Sequence, residues 1–246
     1  MTGSLLRSLQ MGAEASFVLD AAGRMIREND PPMSPAPRVY FAGSEAGNLA
    51  LVRRDVPEDT AREALSLLSA APPWTDAWEI PEAFEAVKAL LSRDAPVEET
   101  SRSAIYVLAG VQQTATDARF VSSGTREGER LLTQLTQDGM PARLIEAGFD
   151  SAYHFWEPWC VACAGEEIAA IAFAARLGAS GAEVGVYTFP GFRGRGLAAA
   201  VTARWAEAPA LVGRELHYAH FVDNLSSRRV TERLGLHRIG ANFRIT

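Results

Sequence analysis

The chain has 246 residues, a formal net charge of −6, 48% hydrophobic and 22% charged residues. That is one large domain or two small ones, with enough apolar material for a sizeable core. The acidic balance argues against non-specific nucleic-acid binding, which rests on basic surface. No run of 18 apolar residues is present, so no membrane association is expected. Residues 1–10 lack a basic segment, an apolar stretch and a small-residue cleavage site, so a cytoplasmic location is expected. Two cysteines cannot build a disulfide framework. Lys88 is the only lysine among many arginines. With the abundant alanine, this reads as GC-rich bacterial coding rather than phosphate recognition.

In chain order, Ala15–Asp20 reads as a strand that enters a turn at Ala21–Arg24. Asn29–Pro37 carries four prolines in nine residues and must extend or turn. Arg38–Gly43 and Asn48–Arg54 read as a hairpin around Ser44–Gly47. Glu58–Leu68 places Ala61, Ala64, Leu65 and Leu68 at helical spacing. Pro81 opens a second helix through Phe84, Val87, Leu90 and Leu91. Ile105–Ala109 is a short apolar strand. These residues form a mixed α+β N-terminal unit, 1–112, without recognisable chemistry. Trp74 and Trp78, four apart, read as packing residues.

Residues 113–246 have a cleaner rhythm. Arg119–Ser122 is a strand, and Thr125 precedes a helix that ends at Asp138-Gly139. Pro141–Gly148 is a short helix. Trp159–Ala164, Ile168–Leu177 and Glu183–Thr188 are three strands with gaps short enough for antiparallel hairpins. A helix from about Gly194 to Ala206 follows, then a strand Leu216–Phe221. A helix over Leu225–Leu234 is capped by Asn224 and Gly235. Arg238–Ile245 is the last strand. Cys160 and Cys163 lie three apart on a strand, so they face opposite sides and read as buried thiols, with no metal site.

Chemistry concentrates in Glu183–Ala199. A strand ends at Pro190, and the turn leads into Arg193-Gly194-Arg195-Gly196-Leu197-Ala198 at the opening of a helix. Unpaired amides and the dipole at a helix start favour an anion. Gly194 and Gly196 remove the Cβ atoms that would hold a phosphate away, and Arg193 and Arg195 add charge. Neither G-x-x-x-x-G-K-[ST] nor G-x-G-x-x-G is present.

The pattern Arg193, Gly196, Ala198, followed by Asn224, Ser227 and Leu234-Gly235-Leu236, resembles the GNAT superfamily of acyl-CoA-dependent N-acyltransferases. The resemblance covers about Ala118 to Thr246. It implies an α/β GNAT fold with a mixed sheet over 113–246, beside the smaller α+β domain of 1–112. It implies acetyl-CoA as cosubstrate and no metal. The pyrophosphate would lie on the amides of Gly194, Arg195, Gly196, Leu197, Ala198 and Ala199 beside Arg193. The pantetheine arm would pair with Val186, Tyr187 and Thr188 like an added strand, and Asn224 and Ser227 would approach it from the far side of a splay between the fourth and fifth strands.

The implied reaction is attack of a primary amine on the thioester. Glu183 and His220 are the candidate catalytic residues, a carboxylate and an imidazole for proton transfer. Tyr153, Phe155, Trp156 and Glu157, just before the second strand, are candidates to line the acceptor site. The partner is an amine, on a small molecule or a peptide, and a homodimer is left open. Two departures stand out. Thr231 occupies the position where many members carry an acidic tyrosine, which keeps open a non-catalytic acyl-CoA-binding sensor or regulatory module. The usual seventh strand does not follow the sixth, so the first hundred residues or a partner chain are expected to cover its edge.

Overall fold

The computed structural model describes residues 2–111 and 115–246. It opens with helix α1 (Thr2–Ser16), then strands β1 (Phe17–Leu19), β2 (Met25–Glu28), β3 (Val39–Ser44) and β4 (Gly47–Val52). Helices α2 (Glu58–Ala70) and α3 (Phe84–Leu91) lead to β5 (Thr100–Val107). The second half runs β6 (Arg119–Ser122), α4 (Arg126–Asp138), α5 (Ala142–Glu146), β7 (Trp159–Ala164), β8 (Glu167–Leu177) and β9 (Gly181–Thr188). It closes with α6 (Leu197–Trp205), β10 (Glu215–Phe221), α7 (Leu225–Arg233) and β11 (His237–Ile245).

Nine strands form one sheet in the order β4-β3-β11-β5-β10-β9-β8-β7-β6, while β1 and β2 form a separate pair. Every pairing in the large sheet is antiparallel except β9 with β10. Alternation along the strands sends successive side chains to opposite faces. On one face, α2, α3 and α6 bury Phe41, Phe243, Tyr218, Val184 and Ala172. On the other, α1 and β1 cover Tyr40, Ala42 and Ile105, and α4 and α5 cover Val121, Val161 and Ile171. Trp205 anchors α6: it is fully buried, and its Nε1 donates to the Pro158 carbonyl at 2.8 Å. Cys160 and Cys163 are buried in the two opposing cores, as their spacing requires.

Several elements depart from the sequence reading. The helix α1 replaces the start of the strand expected at Ala15. Its carbonyl end is held by Ser16, whose hydroxyl donates to the Gly12 carbonyl at 2.8 Å, and only Phe17 to Leu19 are extended. The strand β2 was not expected, because the proline-rich run after it hid a pairing with β1. The helix α3 begins at Phe84 rather than Pro81, since a turn from Pro81 O to Phe84 N precedes it. The helix expected from Gly194 begins at Leu197, because Gly194 and Gly196 hold φ of 79° and 77°, outside the right-handed helical region.

The expected division between residues 112 and 113 itself lies outside the described residues. The strands on either side of it share one sheet. From the first segment, β5 lies between β10 and β11, pairing with His217–Phe221 on one edge and with His237–Ile245 on the other. The strand β3 then pairs with the far edge of β11. The edge of the last strand is thus covered by the first hundred residues, as anticipated.

This placement makes residues 113–246 dependent on the rest. Expressed alone, they would leave β10 and β11 without the strand that joins them. The expected result is a poorly dispersed amide proton–nitrogen correlation spectrum and no cooperative thermal transition. A dispersed spectrum and a sharp transition would show that the second segment folds by itself.

Candidate active site

The pairing of β9 with β10 covers only Gly181–Glu183 against Glu215–His217. Beyond Glu183 the two parallel strands part. Val184–Thr188 stay bonded to β8, and Tyr218–Phe221 stay bonded to β5. The gap leaves the backbone edges of Val186 and Thr188 facing β10 without a strand partner; Tyr187, between them, turns its N–H and C=O to β8, and the Thr188 carbonyl already accepts from Arg193 Nε at 3.3 Å. Such an edge accepts an extended, amide-bearing chain.

The turn after β9 lies at the mouth of this gap. Gly191, Gly194 and Gly196 all have positive φ. The first amide of α6 with an ordinary partner is Ala200 N, bonded to Gly196 O at 3.1 Å. Among the described residues, no amide from Arg193 to Ala199 donates a hydrogen bond of ordinary geometry. Seven consecutive N–H groups are thus left without a partner at a helix start, an arrangement that favours negative charge. Arg193 lies over the Tyr187 ring at 5.9 Å and Arg195 over the Phe192 ring at 5.3 Å, both exposed at the rim. A further cation reaches the loop from α7: a Cβ on Gly196 would collide with Nη1 of Arg233. Arg233 was invisible to motif reading, since it lies 37 positions beyond Gly196 and only the packing of α7 against α6 brings it there.

Asn224 is the N-cap of α7. Its Oδ1 accepts from the Ser227 amide at 3.0 Å, which leaves Nδ2 uncommitted. Ser227 sits beside the Tyr218 hydroxyl, which is buried and has no hydrogen bond of ordinary geometry; burial raises its pKa to about 12. Thr231 is buried and spends its hydroxyl on the Arg228 carbonyl at 2.7 Å, so it is a helix-packing residue.

The two candidate catalytic side chains lie on opposite faces. Glu183, between the inward-facing Ala182 and Val184, points to the α1 side. Burial pushes its carboxyl above the usual carboxylate range, against the pull of Arg244 and Arg176 and with help from Glu28. His220, two residues from Tyr218, points to the α7 side. Its ring stacks on Tyr106 at 5.4 Å, its Nδ1 donates to the Phe221 carbonyl at 2.9 Å, and its Nε2 is buried without a partner.

Tyr153, Phe155, Trp156 and Glu157 are brought together. They line an open cavity of about 600 Å³ together with Asp30 and Met33 from the segment after β2 and Ala174 and Leu177 of β8. Trp156 meets the Phe173 ring edge-on at 5.3 Å, and Phe173 occupies the space above Gly185. Ala174 and Leu177 pair with Val184 and Ala182, which places the cavity one strand away from Glu183.

The family model for GNAT acetyltransferase matches residues 39–241. The chain belongs to the GNAT acetyltransferase family. The match begins at β3, well before Ala118, so this GNAT chain carries the likeness in its first segment too. No curated protein matches the sequence. Among solved structures, a GNAT-family protein from Novosphingobium aromaticivorans is 22% identical over 61% of this chain and 65% of that one, with a TM-score of 0.43. The match thus spans slightly under two thirds of that relative. A GCN5-related N-acetyltransferase from Kribbella flavida is 13% identical over 99% and 94%, with a TM-score of 0.43. Diaminobutyrate acetyltransferase EctA from Paenibacillus lautus, solved with its substrate and coenzyme A, is 16% identical over 53% and 95%, with a TM-score of 0.34. The family uses acetyl-CoA, and among the described residues no group of side chains is arranged to hold a metal. No helix there is long and apolar enough to cross a membrane.

The loop geometry sets an expectation for coenzyme A. Replacing Gly196 with alanine strains a left-handed residue by about 1 kcal/mol and displaces Arg233. Arg233→Ala removes the cation alone and is expected to weaken coenzyme A roughly 10-fold, about 1.4 kcal/mol, with a smaller effect at high salt. Calorimetric titration at two ionic strengths measures both. Unchanged affinity in both variants would remove the loop from the binding site.

Proposed function

We propose that this chain transfers an acetyl or short acyl group from coenzyme A to a primary amine bound in the cavity beside β8. The observation that carries the reading is the run of unpartnered amides from Arg193 to Ala199 at the mouth of the β9–β10 gap. A diphosphate fits it in charge and in donor count. The glycines admit close approach, and Arg193, Arg195 and Arg233 bring positive charge. Leu197, Ala198 and Ala199 supply the amides of the first helical turn. Val186 and Thr188, on the open edge of β9, offer backbone partners to the pantetheine amides beside Tyr187, and Asn224 Nδ2 at the start of α7 is a further donor.

When bound, acyl-CoA supplies an acyl carbon activated as a thioester. This chain's residues handle the protons. An amine reaches the cavity as its ammonium, and Glu183, with its raised proton affinity, is suited to take a proton from it directly or through water. The aromatic walls formed by Phe155 and Trp156 keep the apolar part of the acceptor out of water, while Glu157 at the exposed rim favours a cation. Tyr218 keeps its proton at neutral pH and stands at the head of the gap. It takes the place of the acid that Thr231 does not provide. His220 is separated from Glu183 by the sheet, so any part it plays is on the α7 side.

A second reading, a sensor that binds acyl-CoA without turnover, is favoured by Thr231, whose hydroxyl is committed to its own helix. Release of free thiol from acetyl-CoA across an amine panel separates the two. The enzyme reading expects turnover. It also expects a loss of about 10²-fold or more in Glu183→Gln, the scale of general-base catalysis. The wild-type acid limb should fall above the ordinary glutamate range, because the base works only when ionised. Binding of coenzyme A with no turnover on any amine would establish the sensor.

A further inference from the structure

The α1 side of the sheet holds a buried charge cluster that the binding reading does not use. Arg176 on β8 lies directly opposite Glu183 in the antiparallel register. A cross-strand Arg–Glu neighbour of this kind ordinarily pairs. Here it does not: among the described residues, Glu183 makes no hydrogen bond and no ion pair within 4 Å, and Arg176 turns to Glu28 instead. Arg176 Nε and Nη2 donate to Oε2 of Glu28 at 3.0 and 2.6 Å, and Arg244 Nη1 donates to Oε1 at 2.9 Å. Glu28 is 5% exposed and is delivered by β2 from outside the large sheet.

From this geometry, and resting on the acyl-transfer reading above, we propose that Glu28 is a positioning residue for the base: it holds the guanidinium groups of Arg176 and Arg244 and so keeps both cations off the Glu183 carboxylate. A bidentate, buried carboxylate is a stronger partner for two guanidinium groups than a single carboxylate that must also exchange protons. With Glu28 in place, Glu183 feels the two cations only as a field and keeps the proton affinity of a buried acid. Without it, two half-buried guanidinium groups lose their shared partner, and Glu183, with Asp30 on the far side of Arg176, is the carboxylate left beside them. Asp30 also lies within ion-pair range of Arg176, 3.9 Å from Nη1, but both of its oxygens already accept from Ser34 and it does not reach Arg244, so it replaces only part of what Glu28 does.

The other groups around Glu183 do not compete for this role. Tyr40 on β3 is buried, and burial holds its hydroxyl protonated. His217, the register neighbour on β10, is buried with its Nε2 3.3 Å from Glu215, and desolvation pushes its pKa down to about 4. From α1, Glu14 is taken up by Ser180 and Arg7 at the surface.

The test uses the full chain with Glu28→Gln and Glu28→Asp. Two readouts are followed: the pH dependence of kcat/KM and the titration of the Glu183 carboxyl carbon by NMR. In Glu28→Gln the Glu183 midpoint and the acid limb should both move down by about one pH unit or more, the scale of a newly acquired guanidinium partner. Glu28→Asp should restore much of the wild-type value. A folded Glu28→Gln protein with both readouts unmoved overturns the proposal. If Glu28→Gln does not fold, Arg176→Gln decides. The proposal expects the Glu183 midpoint to rise by less than about half a unit, because Arg176 is not its partner. A rise of about one unit or more contradicts the proposal. If no amine is turned over, the acyl-transfer reading fails, while the carboxyl titration still reports on Glu28.

Discussion

Two parallel strands that pair for three residues and then separate determine most of what this molecule can do. Up to Glu183 and His217 the sheet is closed; past them β9 belongs to β8, and β10 belongs to β5. Unpaired backbone in a protein interior is costly and is ordinarily satisfied. Here the unsatisfied edge runs into a turn whose left-handed glycines delay the helix by three residues. The strand gap and the late helix start thus leave two sets of unpaired backbone groups, separated by residues 189–192, whose Phe189 and Phe192 amides are bonded internally and whose Pro190 has none. A ligand with amide-like polarity at one end and a diphosphate at the other matches both sets.

The N-terminal segment is part of this arrangement rather than an appendage. Its β5 is bonded to β10 and so holds open the far wall of the gap. Its α1 packs over β9 and β10: Gly12 lies against the His217 ring, and the Met11 carbonyl lies over Gly181. Its β2 sends Glu28 to the arginines beside Glu183, and the turn after β2 sends Asp30 and Met33 to the cavity opposite Tyr153–Glu157. One segment therefore supports the β9–β10 gap, the surroundings of Glu183 and a wall of the cavity beside β8.

Much of the second half was legible in the sequence, for physical reasons that differ by element. Hairpin-length gaps revealed β7, β8 and β9 within one or two residues, and the caps Thr125 and Asn224 marked the starts of α4 and α7. The glycine-rich turn, a weak signal by itself, was legible through its company: Asn224, Ser227 and Leu234-Gly235-Leu236 follow it in order. The first half was harder to read. The helix α1 has two glycines, no acidic residue in its first turn and no basic residue in its last, so its signal is weak until the sheet is there to receive Leu9 and Ala13. The pairing of β5 with β10 and β11 joins residues far apart in sequence and leaves no local trace. Arg233 and Glu28 escaped for the same reason. Each is an ordinary charged residue on its own element, and only tertiary packing aims it at the site.

The central claim is that the amides from Arg193 to Ala199 receive the diphosphate of coenzyme A. Amide proton–nitrogen spectra of the full chain during titration with coenzyme A test this most directly. The account predicts saturable downfield movement of the amide protons of Arg193 to Ala199, as expected for new hydrogen bonds to anionic oxygen, together with smaller changes at Val186 to Thr188. Saturable binding with these amides unmoved, or no binding at all, would contradict it.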